Sequence, residues 1–121
     1  MTITEARAEL VDALVADGVA ATDTPGGADL PYVLVVADGI PELGHVVAGH
    51  VEAQFIARCV AGAWDSSAAV AALDELKLAA LTVIHQLDGW RMGPVRRDGI
   101  RALAGADLLT ADVVTSRLVT L

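Results

Sequence analysis

The sequence predicts an α+β fold: one mostly antiparallel sheet with two helices, in the order α-β-β-α-β-β. Three observations lead there. Two long segments repeat apolar residues at helical spacing, one segment alternates with period two, and no helix separates the last two strand-like segments. A length of 121 residues fits one domain, taken as 1–121.

The first helix is expected over 3–17. Thr2 and Glu5 stand at capping-box spacing, so the hydroxyl bonds an orphan N–H and the carboxylate reaches back. Ile3, Ala6, Leu10, Ala13 and Leu14 give it an apolar face, and Gly18 stops it. Residues 22–29 form a polar loop around Pro25-Gly26-Gly27. The run YVLVVA, 32–37, is rich in β-branched residues and reads as a strand buried on both faces. Residues 38–49 contain Gly39, Pro41, Gly44 and Gly49, a connection long enough to serve for contacts.

Residues 50–61 alternate. Val51, Ala53, Phe55, Ala57 and Cys59 make one apolar face. The opposite face is polar in its middle and is expected to meet water or a polar partner. Asp65-Ser66-Ser67 opens the longest helix, 66–88, with Val70, Leu73, Leu76, Ala80, Val83, Ile84 and Leu87 as its core stripe. Gly89 ends it. Two strands follow, 90–104, irregular around Gly93-Pro94 and Gly99, and 111–121. A turn at Gly105-Ala106-Asp107 joins them.

Charge and composition exclude several functions. Eight basic residues face sixteen acidic ones, for a net charge of −8, and Lys77 is the only lysine. Tight binding to a nucleic-acid backbone or to an anionic membrane needs clustered cations, so both are disfavoured. No apolar run approaches the roughly 18 residues of a membrane span, and no signal peptide is visible. Much of the 55% apolar content is Ala and Val, which gain little per residue on burial. Partner surface is therefore expected to help stability.

Candidate chemistry is sparse. His45, His50 and His85 lack the spacing of a zinc site. Cys59 sits on an apolar strand face, where a structural thiol is the default. Ser66 and Ser67 are explained by capping, and Asp74 with Glu75 by a solvated helix face. No phosphate loop or nucleophile elbow occurs. No cofactor or metal is expected. His50, Glu52, Gln54 and Arg58 are the polar residues from which a small ligand-binding site could be assembled. Arg91, Arg96, Arg97 and Arg101 cluster near Trp90, a composition common at interface hot spots. An edge strand protected by charge explains the same arginines equally well.

The order of segments PYVLVVAD, HVEAQFIARCVAG, DSSAAVAALDELKLAAL, DGWRMGPVRR and ALAGADLLTADVVTSRLVTL resembles the tail terminator family of long-tailed phages, also called tail-completion or minor tail protein U-like proteins. The resemblance covers nearly the whole chain in element order and length. It implies a non-enzymatic subunit that forms a ring, commonly a hexamer, on the head-proximal end of the tail tube. That ring ends tube polymerisation and offers the head-attachment surface. The implied partners are copies of itself, the major tail tube protein and a head-completion or neck protein, with DNA passing through the lumen without specific binding. The implied location is the host cytoplasm during assembly and then the virion. The candidate interface comprises Glu42, Trp90, Arg91, Arg96, Arg97 and Arg101, with Glu42 expected to pair across subunits with Arg96 or Arg97. Another neck or head–tail joining protein is the nearest alternative. A small cellular ligand-binding α+β module is the alternative of a different class.

Overall fold

A computed structural model describes residues 1–40, 46–103 and 105–120, with the side chain of Val47 outside the description. The expected class holds: two helices lie with a mostly antiparallel sheet. The expected order does not. The elements run α1 (Ile3–Ala16), β1 (Ala21–Thr22), β2 (Tyr32–Ala37), β3 (Val46–Val47), β4 (His50–Ala63), α2 (Ser67–Gln86), β5 (Trp90–Val95), β6 (Gly99–Leu103) and β7 (Ala106–Thr120). Two of the additions, β1 and β3, are two-residue strands too short to show a period. The β1–β2 contact is parallel, with Ala21 opposite Val33, so the sheet is mixed.

The third addition arises from bulges. β5 and β6 lie in tandem along the same side of β7, as one ladder with two register shifts. Pairing runs from Trp90 opposite Arg117 to Leu103 opposite Ala106, and each shift places an extra residue on the edge segment. The irregularity expected at Gly93-Pro94 and Gly99 is this interruption. β7 starts at Ala106 rather than at 111, because Gly105 takes the turn conformation (φ +81°) and Ala106 is already extended. Ala106 and Asp107 already pair with β6.

Across the sheet the order is β1-β2-β4-β7-β5, with β3 on β4 and β6 on β7. The long antiparallel ladder between β4 and β7 extends from His50 opposite Thr120 to Ala63 opposite Leu108. The face bearing Val51, Ala53, Phe55, Ala57 and Cys59 packs against both helices, as the alternation predicts. α1 is capped by Thr2 and Glu5 in a reciprocal box and buries Ala6, Leu10 and Leu14. α2 is capped by Ser66, within the expected Asp65-Ser66-Ser67 opening, and buries Leu73, Leu76, Ala80, Val83 and Ile84. Val70, expected in that stripe, is half exposed, because it lies about a quarter turn around the helix from the centre of the buried stripe through Ala69 and Leu73.

The other face of the sheet carries no helix. A small second cluster of Tyr32, Leu34, Val60 and Leu108 lies there, with Ala28 and Leu103 packed on it. β2 is thus covered on both faces over its first four residues.

The edge ladder needs a glycine at one bulge. A Cβ on Gly93 would stand 2.8 Å from the Val114 carbonyl oxygen, whereas one on Gly99 would meet nothing within 4 Å. Gly93→Ala is therefore expected to cost about 1–3 kcal/mol, as overpacking does, and Gly99→Ala much less. Urea unfolding midpoints measure both, and equal midpoints would refute this account of the bulge.

Candidate functional site

The helix-free face is organised by one buried carboxylate. β-pleating puts Arg58 of β4 directly opposite Asp112 of β7, both pointing away from the helices. Arg58 donates from Nε to Asp112 Oδ1 at 2.9 Å and from Nη2 to Oδ2 at 3.3 Å, a two-point contact that suits the planar guanidinium. From the neighbouring edge ladder, Arg101 donates to Oδ2 at 3.2 Å and Arg96 approaches the same oxygen at 3.9 Å. The Asp112 side chain is 4% exposed, whereas Arg96 and Arg101 are about half exposed. Three guanidinium groups thus converge on one carboxylate, leaving surplus positive charge directed outward.

Beside this hub lies an open hollow of about 370 Å³ lined by Arg96, Arg97, Ile100, Arg101, Thr110 and Asp112. Arg97 is exposed and makes no ion pair among the described residues. Further along the face, Ser116 donates to Glu52 at 2.8 Å, and Arg91 stands 3.9 Å from the same carboxylate. Arg91 is more exposed than Arg96 or Arg101.

Four of the six sequence-predicted interface residues, Arg91, Arg96, Arg97 and Arg101, therefore share one exposed edge. Trp90 does not join them. Its ring is 8% exposed and packs on Phe55 at 5.2 Å between centroids, tilted by 58°. The indole N–H donates to Glu9 of α1 at 2.6 Å, and the Arg117 guanidinium lies 6.0 Å from the ring centroid. The pleat explains this reassignment to the core: Trp90 faces the helices and Arg91, one residue on, faces away. Glu42 lies outside the described residues, as does His45.

The polar residues of β4 do not converge on one ligand site. His50 is exposed and contacts the Ala48 carbonyl, Gln54 donates to Asp38 at 2.7 Å, and Glu52 and Arg58 have the separate partners given above. Among the described residues no group of three or more His, Cys, Asp or Glu could hold a metal ion. No helix among them is long and apolar enough to cross a membrane. Cys59 is fully buried, and burial first, then the Asp112 charge, pushes its thiol up to about 12. A protonated buried thiol is a poor nucleophile. Lys77 of α2 donates to Asp98 at 2.9 Å, which raises its pKa and ties the β5–β6 junction to the helix.

Sequence reasoning could not find Asp112. It stands in an apolar-flanked strand segment, and only the cross-strand register shows that Arg58 faces it. No protein-family model matches the chain, and no curated protein matches it.

Asp112→Asn keeps the shape but removes the charge that three arginines share. A loss of about 1.5–3 kcal/mol is expected, the worth of hydrogen bonds to a charged group. Arg101→Ala, removing an exposed partner, should cost under about 1 kcal/mol. Denaturant titration reads both, and equal losses would show that Asp112 is not the hub. The Cys59 thiol should resist a disulfide exchange reagent at pH 8 in the folded protein and react at once in urea. Fast reaction without urea would contradict its burial.

Proposed function

We propose that the chain is a tail terminator subunit of a long-tailed phage. It forms a ring on the head-proximal end of the tail tube, ends tube polymerisation and provides the surface to which the head attaches. Its work is assembly, with no substrate turned over. Its partners are copies of itself, the tube protein and a neck protein.

The observation that carries the reading is the β5–β6 edge. It is a bulged outer strand whose main-chain groups are available to a neighbour, and it is lined by Arg91, Arg96, Arg97 and Arg101. Exposed Met92, Val95 and Ile100 alternate with them along the edge, on the helix side of the sheet. Arginine beside apolar side chains at a sheet edge suits a protein contact. The polar groups of the helix-free face hold one another in intrachain pairs, an arrangement that stiffens a surface rather than preparing groups for catalysis. The segment resemblance supplies the specific role. The net charge of −8 is compatible with a channel through which DNA passes without adhering.

Negative-stain imaging tests this. Purified chain added to polymerising tail tubes should cap one end of each tube with a ring and stop its growth. Tubes that elongate at the same rate, with bare ends at every concentration of the chain, would overturn the proposal.

A further inference from the structure

The charges of this chain are segregated along the sheet. Between Arg7 and Arg58 the sequence contains eight carboxylates and no Lys or Arg. That segment builds most of α1, all of β1, β2 and β3, and the first part of β4. The edge formed by β1 and β2 is accordingly acidic, with Asp23 and Asp29 exposed in the loop that joins them. The far edge, β5 and β6, carries Arg91, Arg96, Arg97 and Arg101, all exposed. Asp112 compensates only one of the charges gathered there.

Apolar side chains are exposed beside both edges. Met92, Val95 and Ile100 are 43–55% exposed along β5 and β6. Leu30 and Ile40, 46% and 54% exposed, flank the two ends of β2. Each edge thus carries exposed apolar side chains and a predominance of one sign of charge, and the predominant signs are opposite, since Asp98 at the β5–β6 junction is held by Lys77 of α2.

We infer that copies of this chain join edge to edge in one polarity: the basic β5–β6 edge of each copy meets the acidic β1–β2 edge of the next. Arg96, Arg97 and Arg101 lie against Asp23 and Asp29, with Met92, Val95 and Ile100 near Leu30 and Ile40. The inference rests on the terminator reading and assigns the two halves of its subunit contact. Contact between unlike patches is heterologous, and it closes into a ring when the rotation between copies permits. Like edges repel, since two β5–β6 edges would set arginine against arginine.

Reciprocal charge reversal tests the assignment. One variant carries Arg96→Glu and Arg97→Glu, and a second carries Asp23→Arg and Asp29→Arg. Sedimentation velocity at low and high salt reads self-association, and circular dichroism confirms folding. The wild type should associate, more strongly at low salt. Each variant alone should associate at least tenfold more weakly, because its two edges now carry the same sign. An equimolar mixture should regain association, since each altered edge then meets an altered partner of opposite sign. The single exchanges Arg97→Glu and Asp29→Arg, both at exposed positions, replace any double variant that fails to fold. Variants that associate like the wild type, or a mixture that stays dissociated, would overturn the edge assignment. If the wild type still caps tube ends in that case, the terminator reading survives. A wild type that neither associates at low salt nor caps tubes overturns both.

Discussion

The antiparallel ladder between β4 and β7 is the constraint on which everything else depends. Its register decides which side chains share a face, and a slip of one residue would exchange the two faces completely. In the observed register Phe55 and Val113 point toward the helices, while Arg58 and Asp112 meet on the opposite side. The apolar face fixes that register from one side. The two-point Arg58–Asp112 contact fixes it from the other, because a slipped ladder would bury Asp112 in the core away from its cations. The bulge between Val60 and Gly62 shifts the pairing only near the end of β4, and Ala61 stays on the helix side with Ala57 and Cys59.

The same register explains why an arginine-rich edge can exist on so acidic a chain. The outer positions of β5 and β6 lie beside Asp112, so Arg96 and Arg101 gain a buried carboxylate partner without leaving solvent. Their heads remain oriented yet hydrated, a compromise that avoids the desolvation cost of a fully buried pair. On the inner side, Trp90 uses its N–H on Glu9 and its ring on Phe55, linking α1 to the edge ladder. One strand segment thereby contributes a core anchor and a charged edge through successive residues.

Much of the fold was legible in the sequence, and the reasons are local. Thr2 and Glu5 marked the start of α1 because a capping box is a fixed spacing. The alternation from Val51 to Cys59 marked a half-buried strand, because period two admits no helix. β1 and β3 were illegible, since two residues define no period. The start of β7 is not legible at Ala106 and Asp107, which look like turn residues although Gly105 supplies the positive φ. At the site, the edge arginines were visible as a cluster. The hub at Asp112 was not, because its meaning depends on a residue fifty-four positions away. Trp90 was placed at the surface by composition, and only the pleat could assign it inward.

Segregated charge also bears on what kind of oligomer the chain can form. A two-fold dimer apposes identical patches, so pairing at β5–β6 would bring both arginine sets together, and pairing at β1–β2 would bring both sets of aspartates together. Each such contact sets like charges against one another, whatever apolar area it buries. A head-to-tail contact pairs unlike edges every time. It also leaves one unlike edge open at each end of any incomplete arc, so addition continues until the arc closes. Closure removes both open edges at once, which is the property a structure needs if it is to end a growing tube rather than extend it. An Ala- and Val-rich core, with Phe55 its only phenylalanine, gains modestly from burial within one copy. On the assembly reading, the exposed apolar strips at the two edges are the surface left to bury when copies meet.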